Sequence, residues 1–204
     1  MRKIALNVAK DLNKNFPEID LEELRSDEEL FYLCWLLELC HAGYVDNVWY
    51  ESKTFDLNAP YEKLYEVQMK TKVKTGKEVL IKGTRYTPDF KVEWTEKAVG
   101  VFYLDYVTPK RVMSRSKALF HLGENMVSHV EIKPDHDQNN MTSYARVKIN
   151  WLFETQKVYV NMVKVPTLFR DTFVPLEFTL TEKKREKRKF KYVVKVLKEY
   201  LDIV

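Results

Sequence analysis

The chain has 204 residues, of which 45% are hydrophobic and 13% aromatic, enough apolar material to bury a core within one folded unit. That composition excludes an intrinsically disordered chain. Its 34 basic and 30 acidic residues leave a net charge of +4, too small to announce a nucleic-acid partner, so the distribution of charge has to carry that argument.

No run approaches the ~18 apolar residues of a membrane span, and the first ten residues lack the apolar stretch of a signal peptide. The expectation is a soluble, cytoplasmic protein with no membrane partner. Cys34 and Cys40 form no C-x-x-C pair and are expected to be reduced core thiols. With five glycines and no P-loop, dinucleotide fingerprint or G-x-S-x-G elbow, ATPase and dehydrogenase chemistry find no support. The four histidines show no zinc spacing.

In chain order, Ile4, Val8, Leu12 and Phe16 predict a short amphipathic helix over residues 2–15, ended by Pro17. Ser26 with Glu29 three residues on is a capping box. The apolar run from Leu30 to Cys40 then predicts a central helix that Gly43 stops. Val48, Tyr50, Phe55 and Leu57 suggest one or two short strands. Tyr65, Val67, Met69, Thr71 and Val73 alternate with polar residues and predict a half-solvated strand, turning at Thr75-Gly76-Lys77.

Pro88 cannot donate to a ladder and holds Thr87 extended, so Asp89 enters at the start of a strand whose buried face is Phe90, Val92 and Trp94. Residues 98–107 predict a further buried strand. In the segment 129–134, alternation puts Glu131 and Lys133 on one face while Val130 and Ile132 point into the core. A loop at 134–140, a helix of about four turns marked by Met141, Tyr144, Ala145, Lys148 and Leu152, and a strand over 158–165 complete the pattern.

Two segments concentrate positive charge. From Thr108 to His121, Lys110, Arg111, Arg115 and Lys117 appear with no acid, as either a solvated loop or a flap that contacts phosphates. Residues 182–191 carry seven positive and two negative charges. With Phe190, Val193, Val194, Leu197 and Leu201 they predict a C-terminal basic amphipathic helix over 182–204, packed on the domain formed by 1–181. Lys184, Arg185, Lys187 and Arg188 would make it a nucleic-acid arm, or equally a soluble surface helix.

Pro88-Asp89 followed by Glu131-Ile132-Lys133 resembles the signature of the PD-(D/E)xK nuclease superfamily. The longer forms Tyr86-Thr-Pro-Asp-Phe90 and Val130-Glu-Ile-Lys-Pro134 resemble its phage resolvase and transposon end-cleaving branches. Ser26-x-x-Glu29 opening a helix that ends near Gly43 is similar to the superfamily's first core helix. The resemblance covers about residues 26–165, with a basic insertion at about 105–126. It implies a restriction-endonuclease-like α/β core, a central mixed β-sheet flanked by helices.

Asp89 and Glu131 are hard oxygen donors suited to Mg2+ or Mn2+. By resemblance the backbone carbonyl of Ile132 is a third ligand, and Glu29, or its neighbour Glu28, leans toward the metal. Lys133 would orient or deprotonate a water, or stabilise the transition state. Arg146 or Lys148 on the following helix would reach the scissile phosphate. The expectation is a Mg2+-dependent DNA endonuclease, hydrolysing phosphodiester bonds on branched, recombination or packaging intermediates. It would act as a homodimer or with a recombination or packaging protein, in a host cytoplasm if viral. The alternatives are an RNA nuclease, or a non-catalytic DNA-binding or assembly factor that kept the fold.

Overall fold

The structure, a computed structural model, describes residues 6–104, 120–121, 125–134, 141–179 and 187–203. Helix α1 spans Leu6–Asn15 and buries Val8 and Leu12 against α2, Asp27–His41. Ser26 caps α2, its hydroxyl accepting the Glu29 N–H at 3.2 Å. The helix ends at Ala42, followed by Gly43 at φ +74°, a left-handed turn that glycine adopts without a Cβ penalty.

Four strands make the central sheet: β1 (Val45–Tyr50), β6 (Phe90–Trp94), β9 (Val127–Lys133) and β10 (Val160–Lys164), in that spatial order. The β1–β6 and β6–β9 pairings are antiparallel and β9–β10 is parallel, so the sheet is mixed. The parallel step requires a crossover, supplied by α3, Met141–Gln156.

Helices cover both faces. On one, Trp35, Tyr32 and the leucines of α2 pack with Phe90, Val92, Val130 and Ile132. The Tyr32 and Phe90 rings meet edge to face at 5.2 Å, and Trp35 stacks on Phe173 at 5.4 Å while its Nε1 donates to Thr172 Oγ1. Opposite, Ile149 and Leu152 of α3 pack with Val160 and with Phe55, Leu57 and Tyr86. Those three lie on a small antiparallel pair, β2 (Phe55–Asn58) with β5 (Thr84–Tyr86). The result is a mixed α/β architecture with a central mixed sheet flanked by helices.

Between β2 and β5 the chain leaves as a hairpin, β3 (Tyr61–Gln68) with β4 (Val73–Ile81). This corrects two expectations. The reversal is at Met69–Lys72, where Met69 N–H donates to Lys72 O at 2.8 Å, and not at Thr75–Lys77. Gly76 instead sits mid-strand opposite Tyr65, whose ring would come within 2.5 Å of a Cβ there. Glycine therefore marks a close approach by an aromatic and no turn. The strands are also exposed along both faces, not half-solvated.

In the described part, 98–104, of the buried strand expected over 98–107, the chain instead makes a 3-10 turn at Glu96–Ala98 and a bend at Gly100, φ +78°. Among the described residues of that stretch only Tyr103–Leu104 is extended (β7), pairing with Phe120–His121 (β8). Phe102 fills the core beside Trp35 at 5.7 Å, so the apolar content marks a buried turn.

After β10 come α4, Val165–Asp171, and a 3-10 turn, Leu176–Thr179. The C-terminal helix is confined, among the described residues, to α5, Leu197–Leu201. Residues 187–196 run as irregular chain instead, tied down where Arg188 N–H donates to Thr179 O and Val174 N–H to Lys195 O. Three β-branched valines at 193, 194 and 196 and the like charges of Lys187, Lys191 and Lys195 at four-residue spacing oppose a helix. Val193, expected on the apolar stripe, is 83% exposed. The segment nonetheless docks, with Phe190, Tyr192, Val194, Leu197 and Leu201 packed on the main core and Tyr200 buried. Cys34 is buried and Cys40 half-buried, both free thiols.

Candidate active site

At one end of the sheet a cleft of about 450 Å3 is lined by Asp89, Glu131, Ile132, Lys133 and Glu29, together with Arg25, Glu51, Arg85, Tyr86, Thr87, Tyr144, Ala145 and Lys148. Antiparallel pairing of β6 with β9 brings Phe90 opposite Val130, so Asp89, one residue before β6, meets β9 beyond the last ladder pair. There the Ile132 N–H donates to Asp89 Oδ2 at 2.6 Å. A strand residue directs its N–H and C=O to the same edge, so the Ile132 carbonyl faces the Asp89 side.

Glu131 is 7% exposed. Its two oxygens have separate donors, Tyr86 Oη at 2.8 Å on Oε2 and Lys133 Nζ at 2.6 Å on Oε1. The ammonium and carboxylate, one pleat apart on β9, thus share the cleft face, while Val130 and Ile132 point toward α2. Glu29 is buried beneath a second set of donors: Arg25 N–H at 2.6 Å and Tyr50 Oη at 2.9 Å on Oε2, Ser26 Oγ at 3.1 Å on Oε1. It braces the capping turn of α2 and forms a wall of the cleft at once. Glu28 lines a separate groove with Phe31, Arg170 and Arg188.

The electrostatics follow from two carboxylates held out of water. Burial first, and then the charge of Glu131, push Asp89 up to about 7, against the opposing pull of the Ile132 N–H. The phenols of Tyr86 and Tyr50 are raised well above their ordinary range, by burial and by the carboxylates they serve, so both are donors. His129, on the same face of β9, is pushed down to about 4 by burial and by Lys53 and Lys91.

Among the described residues, no three His, Cys, Asp or Glu side chains converge as a complete cation cage. The donor set nevertheless suits a small hard cation. Mg2+ is commonly held by one or two carboxylates with waters completing its shell, and the repulsion that raises Asp89 is what such a cation would remove.

Of the basic candidates, Lys148 reaches the cleft, its Nζ donating to Arg85 O at 3.2 Å and lying 4.8 Å from the Tyr144 ring. Arg146 is exposed and outside the cleft lining. Arg188 sits away from it, its guanidinium 4.5 Å from the Phe178 ring; Lys187 is exposed. Lys110, Arg111, Arg115, Lys117, Lys184 and Arg185 lie outside the described residues, as do Asp135, His136 and Asp137.

Sequence reasoning missed Tyr86, Tyr50, Arg25 and Glu51. Glu51 adopts φ +43°, uncommon for a residue with a side chain, and is fixed by its N–H to Asp89 O and by Arg25 at 2.9 Å. Backbone strain of this kind gathers at sites where structure over-determines a residue. Only Tyr86 carried a signal, lying within the stretch that holds Asp89. No family model matches the chain, and neither a curated protein nor a solved structure matches it.

Proposed function

We propose that this chain is a metal-dependent endonuclease of the PD-(D/E)xK type, with a restriction-endonuclease-like core, hydrolysing phosphodiester bonds in DNA. The observation that carries the reading is the shared cleft of Asp89, Glu131 and Lys133, arranged by adjacent strands as the motif requires. Lys148 stands at its margin with Arg25 and Arg85, which are paired to Glu51 and Asp56 and would turn to a nucleic-acid backbone on binding.

Asp89, Glu131 and the Ile132 carbonyl would hold Mg2+ or Mn2+, which when bound neutralises phosphate charge and acidifies a water. The chain's own groups do the rest. The Ile132 N–H fixes the Asp89 carboxylate, and Tyr86 fixes Glu131. The Lys133 ammonium lies beside Glu131, positioned to donate to a phosphate oxygen as negative charge grows there. Glu29, anchored by three donors, sets the far wall.

The test is cleavage of supercoiled plasmid and of a synthetic four-way junction in Mg2+, Mn2+ or EDTA, by wild type and Asp89→Ala. Metal-dependent cutting lost in the variant supports the reading, and preference for the junction narrows it to a resolvase. DNA binding without cutting of either substrate favours the assembly factor.

A further inference from the structure

The β3–β4 hairpin is unlike the rest of the molecule. At 3.3 Å per residue its strands extend about 25–30 Å, yet every residue of both but Gly76 is exposed, with Leu64 at 64%, Val73 at 52% and Val79 at 51%. A lone two-stranded ribbon is marginal in water, and three or more strands are needed for stability. Among the described residues β4 pairs only with β3, which leaves its other edge as a template for a further strand.

The backbone fixes what that edge offers. Met69 N–H to Lys72 O closes a two-residue loop, and hydrogen-bonded pairs then alternate down the ribbon. Lys74, Gly76 and Glu78 therefore direct their main-chain groups toward β3. Val73, Thr75, Lys77 and Val79 direct theirs outward.

We infer that the free edge of β4 is the interface between two copies of this chain, paired antiparallel about a two-fold axis at Gly76 to form a four-stranded sheet. In that register Thr75 and Lys77 exchange hydrogen bonds across the axis, as their outward groups require. Lys74 lies opposite Glu78 of the second copy, and Glu78 opposite its Lys74, while Val73 meets Val79 on the other face. Shifting the centre to Lys77 opposes two ammonium groups, and shifting it to Thr75 sets Val73 against Lys77. Opposite charges directly across a strand pair are favourable and like charges are not, so of these three registers the one centred on Gly76 is the one that sets Lys against Glu. The contact is isologous and closes after two copies. Gly76 lies at the axis with the Tyr65 ring of its own hairpin over it.

This inference does not depend on the nuclease reading. It is tested on the full chain by sedimentation velocity across about 1–100 µM, a range spanning ordinary homodimer affinities. The wild type should sediment as a dimer. Glu78→Lys, which sets Lys against Lys twice, should raise the dissociation constant about tenfold or more. Lys74→Glu with Glu78→Lys should recover at least about threefold of that loss, because the pair across the axis is reversed and not removed, while Lys63, which faces position 78 within the hairpin, meets Lys in both variants alike. A monomeric wild type, a dimer indifferent to Glu78→Lys, or a double variant as weak as the single one would each overturn the interface. So would a Glu78→Lys chain whose only change is tighter DNA binding, which would assign the ribbon and its lysines to DNA instead.

Discussion

The Ile132 N–H donates to Asp89 Oδ2 at 2.6 Å, tying the two halves of the motif together across 43 positions of sequence. The bond sets the Asp89 carboxylate beside Glu131 in a partly dry cleft, where burial first and then repulsion from Glu131 raise the affinity of Asp89 for a proton.

That raised affinity predicts a pH signature. Asp89 titrates near 7 in the folded chain, against about 3.9 for an unfolded aspartate. Between those values the folded state binds more protons, so this group's contribution to stability falls as pH rises from about 4 to 7. His129, lowered to about 4, works oppositely, and its contribution is lost as pH falls from about 6.5 to 4. Asp89→Asn removes only the first component. In EDTA, thermal unfolding of Asp89→Asn relative to wild type should shift upward as pH rises through that window. A difference that stays flat with pH contradicts the assignment.

Tyr86 is one of the groups that sequence reasoning passed over, and its hydroxyl bonds Glu131 Oε2. Tyr86→Phe deletes that donor beside a buried carboxylate and should destabilise the fold by about 1–3 kcal/mol. In denaturant unfolding at neutral pH, the cost should shrink when Glu131→Gln is already present. An additive pair would mean that the bond carries no energy.

Ser26 caps α2 and also donates to Glu29. Ser26→Ala should lower stability by about 1 kcal/mol, measured by urea unfolding. Glu29 keeps its Arg25 and Tyr50 donors, so the variant should retain cleavage within about tenfold, a change of about 1.4 kcal/mol in barrier. A larger loss would give the cap a direct part in the chemistry.

The legible part of this fold is where local pattern and tertiary role coincide. Ser26 and Glu29 announce α2 because the cap is local, and its apolar run follows from central burial. Val130 and Ile132 alternate with Glu131 and Lys133 because β9 has unlike faces. Reading failed where a partner far along the chain decides the outcome. Gly76 reads as a turn until Tyr65 is seen lying over it. Phe102 reads as strand until Trp35 and Tyr44 enclose it. The apolar residues from 190 to 201 keep a helical period, but Phe190 is held by Phe178 and Tyr192 in chain that is not helical. Tyr50 and Tyr86 are ordinary strand tyrosines in sequence; only the packing of α2 and β9 against them gives each a carboxylate.

The most direct measurement is the rate of supercoiled plasmid nicking in Mg2+ by wild type, Asp89→Asn, Glu131→Gln and Lys133→Met, with circular dichroism confirming that each variant folds. The account predicts metal-dependent nicking by the wild type, reduced at least about 100-fold, or about 2.7 kcal/mol in barrier, by each single change. Folded variants that nick as fast as the wild type would contradict it.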